Sequence, residues 1–315
     1  MTTTPALAPA TAALADPFAA PLPRTYQRVI ALCESLDARL VSAGPEVRPD
    51  GGELNGAAPN GTWLDGEALK GTAPKGTWPD GENLARDGEA LDAFIGAEAA
   101  RIRERHGHEP RRDVAASRAL HDYLWSVSLL ISGAWYLERR VPRLAPGEVG
   151  LDCAAGVFEI LPGTDFACLP DDPAASAPGA RVVAHEEALR AELRSAVADH
   201  VGPLLTAIGP RVRRGARALW GMVADDLVSG IWYLGRTLGE EERAVSAAAQ
   251  LLPAAAPPFP GGAGFRELAG SGGRRYRTRT RLGCCMYYTL DAAEACLTCP
   301  RTCDAERVRR LESEC

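Results

Sequence analysis

Cys284 and Cys285 stand side by side near the C-terminal end, followed by Cys296 and Cys299, giving the pattern C-C-x10-C-x2-C with Gly283 before it and Pro300 after it. Four thiolates within so short a segment close around one metal centre at small loop-closure cost. Four-cysteine sites hold either tetrahedral zinc or an iron–sulfur cluster. Zinc ribbons usually pair their ligands as two C-x2-C units, and the adjacent pair departs from that spacing. Neighbouring side chains on extended backbone point to opposite faces, so Cys284 and Cys285 converge only if the backbone bends. Gly283 is expected to supply the unusual angles. Cys303 offers an alternative ligand through Cys296-x2-Cys299-x3-Cys303 and is read as a spare thiol.

This pattern resembles the C-terminal signature of the FhuF family, ferric siderophore reductases that carry a [2Fe-2S] cluster. The resemblance implies that Cys284, Cys285, Cys296 and Cys299 are all cluster ligands. It extends loosely over residues 87–300, through a Leu-Trp helix start, a helix-rich middle and the cysteine segment. It leaves out residues 1–24 and 57–86. The implied activity is one-electron reduction of a ferric siderophore to release Fe(II). Its partners would be the ferric siderophore and an electron donor such as ferredoxin or flavodoxin. Two other readings stand beside it. One is a four-cysteine redox-sensing or structural zinc protein that binds a protein partner. The other, a siderophore-synthetase-like enzyme, lacks an ATP-binding signature in the sequence.

The strand before the cysteines is the other candidate for chemistry. In Arg275-Tyr276-Arg277-Thr278-Arg279-Thr280-Arg281-Leu282, strict alternation puts four arginines on one face. A guanidinium row beside the centre would attract an anionic iron chelate and raise the reduction potential. A solvated, aggregation-resistant edge explains the same pattern. Arginine supplies nearly all the basic charge, with Lys70 and Lys75 the only lysines, which weakens any single arginine as evidence. His106, His108 and Glu109 have metal-ligand spacing but no third partner, and are read as a polar turn. His121, His185 and His200 are read as structural or exposed. G-x-G-x-x-G, G-x4-G-K-[ST], G-x-S-x-G and H-E-x-x-H are missing, so nucleotide, flavin and hydrolase sites are not indicated.

The elements that position the cysteines are mostly helical. The fold class expected is α+β: a helix-rich body with a small antiparallel sheet and a C-terminal iron–sulfur segment. Apolar spacing predicts helices over 25–42, 91–105, 113–139, 184–208, 213–237 and 240–252, with Asp113 as an N-cap. Short apolar runs between Gly and Pro over 149–169 predict the sheet. Residues 1–24 read as a disordered tail, 253–264 as a linker and 265–315 as the cluster-binding segment. Within the body, the loop 44–86 contains a tandem repeat, residues 57–71 recurring as 72–86. Ser132–Arg139 echoes Ser229–Arg236, which is either two pseudo-equivalent helices packed through Gly133 and Gly230 or coincident composition. Cys33, Cys153 and Cys168 read as buried, inert thiols.

At 46% hydrophobic and 24% charged residues, the chain of 315 residues suits a globular protein, and a net charge of −6 argues against general nucleic-acid binding. The longest apolar stretch, Leu124–Leu137, carries three serines and is too short to span a bilayer. No signal peptide is recognised, so a cytoplasmic location is expected, compatible with a peripheral position on the inner face of a membrane.

Overall fold

The computed structural model describes residues 21–41, 79–153, 155–290 and 295–313. Residues 1–20 of the expected tail and 57–78 of the tandem repeat lie outside them. The repeat's last residues form a short helix, α2 (Gly81–Arg86), opened by a reciprocal capping box between Asp80 and Asn83.

The centre of the molecule is α4 (Arg112–Glu138), a helix whose side chains are buried on nearly every face. A helix apolar all round can only be a core helix. It is enclosed by α1 (Pro21–Leu32), α3 (Gly88–His106), α5 (Glu186–Val212) and α6 (Ala216–Thr237), while α7 (Glu241–Leu251) packs on α6. Asp113 does not cap α4. The N-cap is Arg111, without a side-chain cap bond, and Asp113 sits in the first turn, ion-paired to Arg111 at 2.5 Å.

The sequence echo is a real packing relation. A Cβ at Gly230 would lie 3.1 Å from Leu129 of α4, and one at Gly133 would lie 3.3 Å from Leu234 of α6 and 2.8 Å from Val29 of α1. The missing side chains let α4 and α6 approach along matching faces.

Two expectations change. The helix over 25–42 ends at Leu32, and Ala38–Leu40 forms strand β1, paired in parallel with β4 (Val157–Ile160). Arg39 closes the pairing with a 2.6 Å ion pair to Glu159. The periodic Leu40 therefore lies in a strand, and Leu36 is buried in the turn before it, since a waiting partner strand outweighs helix propensity. The small sheet is likewise mixed. β3 (Val149–Asp152) and β4 are antiparallel, but β1 joins in parallel. A second sheet takes β2 (Val141–Pro142), β5 (Phe166–Cys168) and β6 (Ala180–Val182) in the order β2-β5-β6. The fold class is α+β, as expected. Cys33 and Cys168 are buried, and Cys153 is half-buried. Among the described residues no helix is long and apolar enough to cross a membrane.

The stretch 253–264 is no free tether. Phe259 and Ala263 belong to the core, and the Ala263 N–H bonds the Leu252 carbonyl at 2.9 Å. From there β7 (Phe265–Ala269) and β8 (Arg275–Arg279) form an antiparallel hairpin, and the chain finishes in α8 (Asp304–Ser313).

His200, buried on α5, illustrates how the core titrates. Its Nδ1 lies 2.8 Å from the Leu144 carbonyl and its Nε2 2.8 Å from the Tyr123 hydroxyl. Burial holds its pKa down at about 4. The unfolded chain therefore binds a proton that the native protein refuses between about pH 6.5 and 4. Stability is complete above the unfolded value and falls by about 3 kcal/mol as the pH drops through that window. Urea unfolding at pH 7 and pH 4.5 should show a smaller pH loss in His200→Gln than in the wild type. Equal losses would mean that another group carries the acid sensitivity.

Candidate metal centre

The hairpin delivers the chain to the cysteines through a buried ion pair. Arg279 and Asp225 of α6 are both fully buried, with Arg279 Nη2 donating to Asp225 Oδ1 at 2.7 Å. Arg279 Nη1 also donates to the Ser229 hydroxyl and the Asp225 carbonyl, both at 2.8 Å. The Asp225 carboxylate then reaches past the arginine. It accepts the Leu282 N–H at 3.1 Å on Oδ1 and the Gly283 N–H at 2.6 Å on Oδ2. Burial pushes this carboxyl up, and the guanidinium groups of Arg279 and Arg281 with the two N–H donors oppose it. One carboxylate thus fixes both the last residue of β8 and the backbone that leads into Cys284.

Gly283 is required for closeness rather than for backbone angle. A Cβ there would lie 2.7 Å from Met222 Cγ and 3.0 Å from the Met222 backbone nitrogen. The left-handed residue is Met286, at φ 64°. The bend that follows the cysteine pair aims the Met286 N–H at Cys284 Sγ, 3.4 Å away.

Cys296 and Cys299 sit on a turn closed by the Cys299 N–H on the Cys296 carbonyl at 2.9 Å. Arg307 of α8, almost fully buried, clamps this turn through the carbonyls of Leu297 (2.7 Å) and Cys299 (2.8 Å). Arg310 bonds the Ala295 carbonyl at 2.9 Å. Arg266 of β7 holds α8 in place by two 2.7 Å bonds to Asp304.

Cys284, Cys285, Cys296 and Cys299 line one small cavity with Arg281, Gly283, Tyr287, Tyr288 and Pro300. Cys285 and Cys299 are buried, the other two half-buried, and Cys303 is exposed. Burial raises the Cys284 thiol, and it pushes the Cys296 thiol up to about 11 against the pull of Arg281. Two arginines stand beside sulfurs and a third holds the backbone. Arg118 of α4 has Cys285 as a neighbour that favours its charge, Arg281 Nη1 lies 3.9 Å from Cys296 Sγ, and Arg214 donates to the Cys284 carbonyl at 2.8 Å. The Nε–H groups of Arg118 and Arg281 are buried without a hydrogen-bond partner. Arg281 Nε faces the Asp225 carboxylate at 3.6 Å, while two largely buried guanidinium groups beside four thiols fit an anionic, thiolate-ligated cluster, whose sulfurs accept hydrogen bonds. Among the described residues no three Cys, His, Asp or Glu side chains are placed to hold a single metal ion.

The four arginines, expected to share one face, either as a substrate-attracting row or as a solvated edge, do not present one common exposed face. Arg275 is largely exposed and paired with Glu267 at 2.8 Å, and Arg277 is held by Glu242 at 2.6 Å. Arg279 is sealed in the core, and Arg281, nearly buried, pairs with Asp226 at 3.2 Å. Two carboxylates on α6 draw the inner half of the strand inward, because an arginine buried beside them is compensated. Only Arg277 and Arg281 of the four line the large cavity beside the centre.

That cavity, of about 810 Å³, reaches Cys296 and is bounded by α4, α6 and the hairpin. Trp125, Trp232 and Tyr233 give it aromatic walls, and Trp125 meets Tyr233 edge-on. Arg236, exposed on α6, stands over the Trp232 ring at 5.9 Å and makes no ion pair with a described residue. His121 lines the cavity with its Nδ1 2.9 Å from Asp226 Oδ2. The carboxylate acceptor assigns the proton to Nδ1. A chain of contacts then runs from His121 through Asp226 and Arg281 to Cys296. Sequence reasoning missed Asp225, Asp226, His121 and Arg236. The signal present was the Asp225-Asp226 pair inside the apolar run from Leu219 to Leu234. His106 forms no described metal group with His108 and Glu109. It packs edge-on against Tyr287, 5.7 Å between ring centres. His185 caps α5, accepting the Ala188 N–H.

Residues 281–301 match the family model for the FhuF 2Fe-2S C-terminal domain. The cysteine pattern of the segment falls on Cys284, Cys285, Cys296 and Cys299. The match supports an FhuF-family protein and indicates a [2Fe-2S] cluster as cofactor. No curated protein matches the chain.

Proposed function

We propose that the protein is a ferric siderophore reductase, with Cys284, Cys285, Cys296 and Cys299 holding the cluster and the neighbouring cavity taking the ferric chelate. The observation that carries this reading is the opening of a cavity of about 810 Å³ onto Cys296. Its size suits a small organic chelate. When bound, a [2Fe-2S] cluster supplies electrons one at a time, which is what conversion of Fe(III) to Fe(II) in a chelate requires. Siderophore oxygens are hard donors that hold Fe(III) far more tightly than Fe(II), so the reduced metal leaves.

The protein's own groups bind and position. Arg236, without an ion pair to a described residue, supplies positive charge at the cavity for an anionic chelate, whereas Arg277 lines it already paired with Glu242. Trp125, Trp232 and Tyr233 offer flat apolar surface to the ligand backbone and keep the walls dry. Arg281, fixed by Asp226, lies beside Cys296 at the cavity wall and places a positive charge there. His121, with Nδ1–H held on Asp226, keeps Nε2 as a hydrogen-bond acceptor at the cavity wall.

The reading is tested by mixing the anaerobically reduced protein with ferric hydroxamate or catecholate siderophores in a stopped-flow instrument. Visible absorption follows reoxidation, and a ferrous-specific chelator traps the product. No reoxidation by any oxygen-ligated ferric chelate would end the proposal. With an anionic chelate at low salt, Arg236→Glu should slow the reaction about tenfold, and the deficit should shrink as salt is added. A neutral chelate should be little affected.

A further inference from the structure

We propose that the surface at the N-terminal end of α6, formed by Arg213, Arg214, Arg217 and Leu282, is the docking site for an acidic one-electron carrier protein. This rests on the reading of the metal centre as an electron-transfer site. The carrier would give up one electron there and the centre would take one, with no atom transferred.

The placement along α6 carries the argument. The cysteine segment leans on the middle of the helix. Gly221 would place a Cβ 3.2 Å from Leu282, Met222 packs on Gly283, and Asp225 and Asp226 hold residues 281–283. The substrate cavity takes the helix from Asp226 toward its C-terminal end, through Ser229, Trp232 and Arg236. The other end is free of it. A separate hollow of about 360 Å³ is lined there by Gly215, Arg217, Ala218, Pro260 and Leu282. Arg217 and Ser229 are twelve residues apart, about 18 Å along a helix at 1.5 Å per residue. The centre lies between these two surfaces, with Cys296 toward the cavity and Cys284 tied by its carbonyl to Arg214. An electron can enter at one face while a bulky chelate occupies the other.

The chemistry of this face favours a negatively charged protein. Leu282 is 41% exposed, and among the described residues Val182 is the other large hydrophobic side chain so exposed. It lies two residues from Cys284, where a carrier could come close to the centre. Arg217 lines the hollow with Leu282, is exposed and has no ion pair with a described residue, and Arg213, four residues before it, is exposed as well. Arg213 has Asp113 as a neighbouring charge, already paired with Arg111. Gly215 caps α6 without a side chain, so the first-turn N–H groups add positive potential. All this stands on a chain of net charge −6, so the positive patch is local. An apolar contact point rimmed by arginine is the form of a transient interface steered by charge.

The probe is a small acidic [2Fe-2S] ferredoxin, used reduced for kinetics and gallium-substituted for binding by calorimetry. At low ionic strength, Arg213→Glu with Arg217→Glu should weaken binding and slow reduction of the holoprotein at least about tenfold. Reduction by the methyl viologen radical, a small cation, should not fall. Reoxidation by a ferric chelate should also be unchanged, and its absence in wild type and variant alike would fail the reductase reading while leaving the docking result intact. Wild-type affinity and rate in the double variant would overturn the proposal. If the double variant loses cluster absorption, the milder Arg217→Ala decides: about threefold weaker ferredoxin binding supports docking there, and unaltered binding overturns it.

Discussion

Serine at Cys284, Cys285, Cys296 or Cys299, one position at a time, is expected to abolish the cluster or leave a small, unstable fraction of it, whereas Cys303→Ser should keep wild-type iron, sulfide and visible absorption. The asymmetry follows from position. The first four line one cavity, and two of them are buried where water cannot replace a lost ligand. Cys303 is exposed at the start of α8, outside that cavity. A serine hydroxyl is a harder and far less acidic ligand than a thiol, so it does not restore the bond strength of a thiolate. The measurement is iron and acid-labile sulfide per chain after anaerobic purification, with the absorption spectrum. A colourless wild-type protein with zinc would reject the cluster outright. Bleaching by Cys303→Ser with retention in Cys285→Ser would reassign the ligands.

The four cysteines were legible because their spacing is chemistry written locally. What surrounds them was not. The alternation of β8 was readable, but its meaning was not, because a period-two pattern states which residues share a face and not what that face meets. Here the inner arginines meet Asp225 and Asp226, some fifty residues earlier in the chain. A carboxylate pair inside an apolar helical run needs a buried counter-charge, and a strand of arginines supplies one. Read together, the two segments predict each other; read apart, each looked like something else. The helices were legible for the opposite reason, since α4 and α6 carry long apolar stretches, and α3 apolar spacing, that a single element can satisfy. The first helix was overextended because the spacing of Leu36 and Leu40 fits helix and extended chain alike, and the choice belongs to β4. His121 looked isolated in sequence because its partner Asp226 is on another helix. Arg236 gained significance only once Trp232 and the cavity were in place.

The ion pair of Asp225 and Arg279 should prove to be the largest single-residue contribution to the cluster-bearing fold outside the cysteines. Asp225→Ala leaves a guanidinium in the core without its counter-charge, which costs about 3–5 kcal/mol in comparable buried pairs. It also orphans the N–H groups of Leu282 and Gly283, each a further penalty when buried. Arg279→Met removes the charge from the other side but keeps the carboxylate on those two N–H groups and on Arg281, so its damage should be smaller. The double replacement Asp225→Leu with Arg279→Met separates charge from geometry. If the pair mattered only as a salt bridge, two apolar residues would restore most of the stability. If the carboxylate is a clamp on the cysteine loop, the double variant should regain fold stability and still lose iron, because nothing fixes Leu282 and Gly283. Urea unfolding reports the first quantity and iron per chain the second. The geometry favours the clamp, since one carboxylate binds the end of β8 and the approach to Cys284 simultaneously. Full iron occupancy in Asp225→Ala, with stability within about 1 kcal/mol of wild type, would show that the loop is positioned by packing against Met222 alone.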